Sequence, residues 1–252
     1  MFSFFMKIIA VKTKAIIPPK DSLFNAIKKS TFKPKDGDIV AVSSKVVAID
    51  EGRCVPTGSR KDKEKLAKQL ADMWVELPYG KDRRAVFTIT QGVLIRTAGI
   101  DESNGNGYYI LWPEDSHVSA KRIQKYIEKE YRVKLQGVVI TDSYSLPLRR
   151  GASGFALGWS GISPIKDYRK TDDVFGRKIK ITVANVVDAV ASACVLVMGE
   201  SGAQTPLCVV RDITLPKQRK LKHPLDKNPV DIENDIFSPF LLSKKWKKGK
   251  GV

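Results

Sequence analysis

The chain has 252 residues, enough for one large domain or two small ones with a substantial hydrophobic core. Lysine and arginine number 44 against 27 aspartates and glutamates, and the formal net charge of +17 attracts anions such as nucleotides, phosphorylated substrates or nucleic acid. Because the excess is mostly lysine, charge alone does not establish nucleic-acid binding. The three cysteines, Cys54, Cys194 and Cys208, lack the CxxC spacing of metal sites, and their odd number indicates a reducing cytoplasm.

Two apolar segments of the chain resemble targeting or membrane signals in composition. Residues 1–5 have no basic region before them and no small-residue cleavage site after them, so a signal peptide is not predicted. The longest apolar run, 181–198, carries Asn185, Asp188 and Ser192 on one helical face. It predicts a buried helix with one polar stripe, because a membrane span would be longer and free of an acid at its middle.

Elements in the first half of the chain follow from apolar periodicity and turn residues. Leu66, Leu70 and Trp74 recur at helical spacing, which predicts one long amphipathic helix. Gln91-Gly92 lies between two apolar runs and predicts a hairpin. In chain order, the predicted elements are a strand over 7–17, a helix over 22–29 capped by Asp21, a strand over 39–42, the long helix over 59–77 and the hairpin over 84–96.

The second half mixes strands and helices in the same way. Ala120, Ile123 and Ile127 form the inner face of a predicted helix. In chain order, the elements are a strand over 108–112, a helix over 116–131 capped by Ser116, strands over 135–141, 155–162 and 178–181, the buried helix ending at Gly199, and a strand over 207–210. Because strict βαβ alternation is missing, this order favours an α+β fold with mixed or antiparallel sheets and packed helices.

The composition changes at residue 212. Beyond it, the basic segments 217–223 and 243–252 lack apolar periodicity. We therefore predict a domain over 1–211 and a basic, mobile tail over 212–252. Within that tail, residues 236–237 and 240–242 are apolar and form its expected docking point.

The first candidate site is the stretch Asp101-Glu102-Ser103-Asn104, which follows the apolar run 93–95. Hard cations prefer oxygen ligands, and phosphate-bound Mg²⁺ is usually held by one or two protein carboxylates. A solvated turn explains the same composition, because Asp, Ser and Asn favour turns. The pattern recurs downstream, since the apolar run 137–140 is followed by Asp142 and Ser143, and a third acid, Glu200, follows the buried helix. We predict that Asp101, Asp142 and Glu200 converge on one cation site.

In this order and spacing, the motifs resemble the coenzyme F420-0:glutamate ligase family, from about residue 11 to about residue 211. The other motifs that contribute are Leu148-Arg149-Arg150-Gly151, Gly158-Trp159-Ser160-Gly161-Ile162, Lys166-Asp167-Tyr168 and Asp173-Val174-Phe175-Gly176-Arg177. The resemblance also implies an α+β fold and a V-shaped subunit in a homodimer.

The same resemblance implies an enzyme that adds L-glutamate to a deazaflavin (F420-0-type) acceptor. GTP would be the co-substrate, with Mg²⁺ or Mn²⁺ as cofactor and K⁺ as an additional candidate. A carboxylate of the acceptor would be phosphorylated, and the amine of glutamate would attack the acyl phosphate. By motif, the catalytic and metal positions are Asp101, Asp142, Ser143 (threonine in the family) and Glu200. The implied nucleotide-binding positions are Ile17, Ser44, Lys45, Asn104, Met198, Gly199, Ser201 and Gly202.

The chain departs from the family pattern at Ile49, where the family has a lysine, so the choice between GTP and ATP stays open. Arg149 and Arg150 form a paired fork for anions and are predicted to bind the acceptor, although ordinary surface charge explains them nearly as well. Three hypotheses remain. They are the ligase itself, a relative with another acceptor or nucleotide, and a non-catalytic basic module that binds nucleotide or RNA. The retained acids argue against the last.

Overall fold

The computed structural model describes residues 5–81, 83–217 and 230–251. The strands are β1 (Lys7–Val11), β2 (Ile39–Ser43), β3 (Cys54–Pro56), β4 (Met73–Tyr79), β5 (Arg83–Thr90), β6 (Val93–Arg96), β7 (Tyr108–Ile110), β8 (Gly137–Ser145), β9 (Ala152–Ser160), β10 (Ile165–Asp167), β11 (Val183–Asn185), β12 (Leu207–Arg211) and β13 (Lys247–Lys248). The α-helices are α1 (Leu23–Lys28), α2 (Ser44–Asp50), α3 (Arg60–Leu70), α4 (Ser116–Tyr131), α5 (Val186–Met198) and α6 (Ser238–Leu242).

The central sheet has five strands in the order β1-β12-β2-β8-β9. β2 and β8 run parallel, and the other neighbouring pairs in this sheet are antiparallel. A four-stranded sheet has the order β13-β4-β5-β6, and two-stranded sheets join β3 to β7 and β10 to β11. Mixed strand directions without βαβ alternation agree with the predicted α+β class.

Apolar side chains cover both faces of the central sheet because successive residues of a strand point to opposite sides. Along β2, Val40 and Val42 belong to a core shared with α1, α2 and α4, whereas Ile39 and Ala41 belong to a second core shared with α5. All of these side chains are fully buried. Within the described part of the chain, no helix is long and apolar enough to cross a membrane.

The two predicted helix caps are displaced by one residue. Ser22, rather than Asp21, caps α1, and Asp115, rather than Ser116, caps α4. In each helix the capping oxygen accepts a hydrogen bond from a backbone N–H group of the first turn, and the adjacent polar residue could not be distinguished from the cap by composition. The bounds of α4 and its buried apolar stripe are as predicted.

The long helix predicted over 59–77 is wrong. The helical part, α3, ends at Leu70, and Met73–Tyr79 forms β4, which pairs along its whole length with β5. Trp74 therefore lies on a strand and not on the helical face of Leu66. Pairing with β5 supplies backbone hydrogen bonds that outweigh local helical periodicity, as tertiary context often does. The hairpin predicted over 84–96 is confirmed.

Other strand predictions were too long or misplaced. β1 ends at Val11 instead of residue 17, and no strand forms over 178–181. Instead, β11 takes the first residues of the predicted buried helix, because Asn185 accepts from the N–H of Asp188 and caps α5 there. Gly199 terminates α5 as predicted: it directly follows the last helical residue, Met198, and has a positive φ of 77°.

The end of the predicted tail is docked on the four-stranded sheet. β13 pairs antiparallel with β4, placing Lys247 opposite Trp74. Backbone N–H groups of Gly249, Lys250 and Gly251 donate to carbonyls of 69–72 at 3.0–3.1 Å. A Cβ atom on Gly249 would lie 1.9 Å from the carbonyl oxygen of Ala71, so glycine is required at this close approach. The sequence suggested no docking of residues 243–252, because edge pairing uses backbone groups and needs no apolar periodicity.

The predicted docking point of the tail is not buried. Ile236, Phe237, Phe240 and Leu242 are all exposed on and beside α6. Residues 218–229 of the predicted tail lie outside the described residues.

Candidate active site

A cavity of about 420 Å³ opens beside the ends of β1 and β2, within the size range of small-molecule sites. Its wall is assembled from segments that are far apart in sequence. They are 13–18, 43–49, 101–106, 141–143, 195–202 and 204–206, each of which contributes lining residues. The predicted acids Asp101, Asp142 and Glu200 all lie on this wall.

Asp101 follows a short 3-10 turn (Thr97–Gly99), and its backbone is bridged to Ile110. Its Oδ1 accepts hydrogen bonds from Glu102 N at 2.6 Å and from Ser103 N and Oγ at 2.9 Å. Its Oδ2 lies 2.6 Å from Nζ of Lys45. Burial raises the pKa of Asp101, but the hydrogen bonds and charge of Lys45 and the hydrogen bonds of Ser103 outweigh it and hold that pKa below its ordinary value.

Asp142 lies within β8 and not beyond a strand end, which corrects the sequence-based placement. The pairing with β9 shifts register between Ile140 and Thr141, and such a bulge re-aims the side chains that follow it. Oδ1 of Asp142 accepts from Ser143 N at 2.8 Å, and Oδ2 accepts from the indole Nε1–H of Trp112. Burial raises the pKa of Asp142 to about 6, and the nearby charge of Asp101 acts in the same direction.

Trp112 is the residue that sequence reasoning missed. It is buried in the central core, yet its indole reaches the carboxylate of Asp142. Gly99 makes room for it, because a Cβ atom there would lie 2.1 Å from the indole ring. Tryptophan after an apolar strand carries no local signal of such a contact, since most such residues are simply core.

Glu200 is exposed in the loop that follows α5, and its Oε2 lies 3.4 Å from Oγ of Ser143. The loop is tied to the central sheet at its far end. Thr13 N donates to the carbonyl of Gln204, and Ser43 N donates to that of Pro206, both at 2.9 Å. These bonds place the loop over the ends of β1 and β2, where Glu200 meets β8.

Ser143 and Glu200 are therefore in contact, and Asp101 lies close enough to Asp142 for its charge to act on that carboxyl group. In the described residues, no three His, Cys, Asp or Glu side chains are close enough to form a preformed metal cage. The predicted convergence on a single point is thus looser than expected. The donor set still fits Mg²⁺ or Mn²⁺, because Mg²⁺ is commonly held by one or two carboxylates and completes its shell with water and substrate phosphate.

The comparison with known families decides the relationship of this chain. Residues 11–212 match the family described as F420-0:Gamma-glutamyl ligase. The chain belongs to this family of ligases. A coenzyme F420:L-glutamate ligase of Methanopyrus kandleri is 32% identical over 254 residues, covering 92% of this chain and 97% of the relative. Enzymes of the same name from Halorubrum lacusprofundi and Methanocaldococcus jannaschii are 36% and 30% identical, covering 71% and 77% of this chain and 76% and 84% of theirs.

Most positions predicted for the nucleotide line this cavity. They are Ile17, Lys45, Asn104, Met198, Gly199, Ser201 and Gly202. Ser44 differs: it begins α2, is buried, and is absent from the wall, where its neighbour Ser43 stands instead. The sequence did not indicate α2, which begins at Ser44; in this helix Ser44 is buried and Lys45 reaches the cavity wall. Whether these residues bind nucleotide stays a prediction.

Arg149 and Arg150 do not line the cavity. Both are exposed in the turn between β8 and β9, next to Leu148, which is 98% exposed. Their predicted role in acceptor binding therefore has no support from the cavity geometry and stays a prediction. Ile49 does line the cavity, while also packing in the central core with 2% of its surface exposed.

Proposed function

We propose that the chain is a metal- and GTP-dependent ligase that joins L-glutamate to a carboxylate of an F420-0-type deazaflavin acceptor. The observation that carries the proposal is the single cavity that unites the polar groups of Asp101, Asp142, Ser143 and Glu200 with the loop 199–206. Relatives covering 92% and 77% of this chain are named coenzyme F420:L-glutamate ligase, which supports glutamate and this acceptor class as substrates. A homodimer remains part of the proposal.

The proposed reaction has two steps that balance. A carboxylate oxygen of the acceptor attacks the γ-phosphorus of GTP, and GDP leaves with the bridging oxygen. The amine of glutamate then attacks the acyl carbon, loses a proton, and expels inorganic phosphate. Phosphoryl transfer depends mainly on alignment and charge neutralisation, so it requires no covalent protein nucleophile.

Asp101, Asp142, Ser143 and Glu200 would hold the divalent cation. When bound, this cation would neutralise phosphate charge and align the reacting oxygens. Small residues of the loop, including Gly199 and Gly202, allow backbone N–H groups to approach a phosphate closely. Both residues line the cavity.

The apolar part of the wall has a chemical purpose in this proposal. Ile16, Val46, Ile49 and Val195 line the same cavity as the acids. An acyl phosphate is hydrolysed by water, and closed apolar surroundings suppress such side reactions. These side chains would therefore favour transfer to the amine of glutamate over transfer to water.

The experiment combines purified protein, acceptor, L-glutamate, nucleotide and Mn²⁺, followed by mass spectrometry of the acceptor and assay of phosphate. We expect gain of one or more glutamyl residues, with one GDP and one phosphate released per residue added. Replacing glutamate by hydroxylamine should trap the acyl phosphate as an acceptor hydroxamate. Asp142→Asn should abolish both products, whereas Asp172→Asn, which removes an exposed carboxylate paired with Lys178, should not.

Two other outcomes would redirect the proposal. Glutamyl product with ATP but not with GTP, or with another carboxylate acceptor only, would support a relative of changed specificity. If no product or hydroxamate forms with any nucleotide, and the protein binds RNA with a steep salt dependence, the non-catalytic basic module would be supported instead.

A further inference from the structure

The ammonium group of Lys45 lies beside Asp101, at the carboxylate oxygen that a bound cation would contact. Its Nζ lies 2.6 Å from Oδ2 of Asp101 and donates to the carbonyl oxygen and Oγ of Ser103 at 2.9 and 3.0 Å. The side chain is only 22% exposed. The ammonium therefore neutralises Asp101 from the cavity side, where Lys45 itself forms part of the wall.

The other oxygen of Asp101 is already committed. Oδ1 accepts from the backbone N–H groups of Glu102 and Ser103 and from the Ser103 hydroxyl. A divalent cation at Asp101 must therefore approach Oδ2, the oxygen that Lys45 contacts. A divalent cation and an ammonium at one carboxylate oxygen repel each other, and in a partly buried site this repulsion is only weakly screened.

We propose that Lys45 is an exchangeable counter-ion of Asp101, which it leaves when a divalent cation binds so that its ammonium can hold a nucleotide phosphate. The inference rests on the proposed function, because it requires a cation and a nucleotide in this cavity. It makes Lys45 a nucleotide-binding residue only in the metal-loaded protein and an inhibitor of metal binding in the free protein.

The surroundings of Lys45 permit this exchange. A lysine ammonium is a compact charge on a flexible stem with rotatable donors, so it can turn without moving α2. Farther along that helix, the lining residues Val46 and Ile49 are apolar and offer no second ammonium. Lys14 is the other lysine on the described wall, and it is exposed. Lys45 is thus the half-buried cation nearest to the candidate metal ligands.

The exchange predicts that replacing Lys45 raises the affinity for Mn²⁺ and lowers the affinity for nucleotide. In Lys45→Met, Asp101 loses its internal counter-ion, so Mn²⁺ should bind the nucleotide-free protein roughly three- to tenfold more tightly. A non-hydrolysable GTP analogue at saturating Mn²⁺ should bind about tenfold or more weakly, because a charge-assisted hydrogen bond to phosphate is lost. A lysine that was merely structural would give no such reversal.

Electron paramagnetic resonance of free Mn²⁺ and calorimetric titration of the analogue measure the two affinities. Lys63→Met is the matched control, because Lys63 pairs with neighbouring Glu102 at 3.6 Å, has the same 22% exposure, and does not line the cavity. It should change neither affinity by more than about twofold. Lys45→Gln provides a second variant in case the methionine variant is poorly folded.

The outcomes separate this inference from the proposed function. If the wild type binds neither Mn²⁺ nor the analogue, the proposed function itself fails. If the wild type binds both, but Lys45→Met and Lys45→Gln weaken Mn²⁺ binding or leave analogue binding unchanged, the exchange is wrong and the proposed function stands.

Discussion

The indole Nε1–H of Trp112 donates a hydrogen bond to Oδ2 of Asp142, so a core tryptophan touches a candidate metal ligand. The same carboxylate accepts from the backbone N–H of Ser143 on its other oxygen. Both donors hold the carboxylate group in one orientation. Trp112 therefore orients this carboxylate, and it also places a fluorophore beside the candidate cation site.

This contact predicts that Trp112 sensitises the luminescence of bound Tb³⁺, a hard cation that prefers oxygen ligands as Mg²⁺ and Ca²⁺ do. Excitation of tryptophan in the wild type should give Tb³⁺ emission that Mn²⁺ abolishes by competition. Trp112→Phe should lose most of this emission and bind Mn²⁺ roughly tenfold more weakly, because one oxygen of Asp142 loses its donor. Trp246→Phe is the control, since the indole of Trp246 donates to the carbonyl of Leu241 and not to Asp142. Full emission from Trp112→Phe would contradict the assignment of Asp142 to the site.

A pH dependence of stability follows from the raised pKa of Asp142, about 6 against an ordinary 3.8. The folded protein holds this proton up to about pH 6, whereas the unfolded chain releases it near pH 4, so this group makes the metal-free protein less stable as pH rises between those values. The contribution is at most about 2 kcal/mol, since the residue is half-buried. Urea unfolding of metal-free protein from pH 4 to 7 should show this slope, and Asp142→Asn should flatten it. An NMR titration that places the carboxyl pKa near 4 would refute the prediction.

Docking of the C-terminal segment predicts that it stabilises the fold. Truncation after Leu242 removes β13, uncovers the edge of β4, and takes away Lys247, whose Nζ lies 4.9 Å from the centroid of the Trp74 ring. We expect a loss of about 1–3 kcal/mol, corresponding to several backbone hydrogen bonds and one cation–π contact. Thermal unfolding of the truncated chain measures it.

Two point variants separate the docked geometry from general effects of the tail. Gly249→Val should lower the melting temperature nearly as much as truncation, because its side chain would collide with the carbonyl of Ala71. Lys245→Ala, at an exposed position of the same segment, should leave it unchanged. A truncated chain as stable as the wild type would restore the original expectation of a mobile tail.

Ile49 predicts poor discrimination between GTP and ATP. Its apolar side chain lies on the cavity wall and can neither pair with a phosphate nor hydrogen-bond a base. One missing charge-assisted hydrogen bond corresponds to about 1.5–3 kcal/mol, or roughly tenfold to over a hundredfold in affinity. Titration of both nucleotides should give similar dissociation constants for the wild type and tighter binding for Ile49→Lys.

Because Ile49 also packs in the core, the lysine variant needs a stability control. Ile49→Met keeps an apolar side chain of similar size and should bind both nucleotides as the wild type does. Tight, GTP-selective binding by the wild type that Ile49→Lys leaves unaltered would show that other groups, such as Lys45, already provide the contact.

Sequence patterns were reliable where local physics decides the structure. The stripe of Ala120, Ile123 and Ile127 located α4, and the positive φ that glycine tolerates located the end of α5 at Gly199. Patterns failed where partners distant in sequence decide. Trp74 continued a helical spacing but joined a strand, because β5 pairs with it.

By itself, the sequence determined the α+β class, the family, and which acids belong to the cavity, since ordered motifs and apolar periodicity are local properties of the chain. Only the tertiary structure decided how those acids are held. Lys45 pairs with Asp101 across 56 positions of sequence, and the indole of Trp112 reaches Asp142 across 30. Neither pairing has a local signal, because each depends on where the sheet and the loops bring the two side chains together.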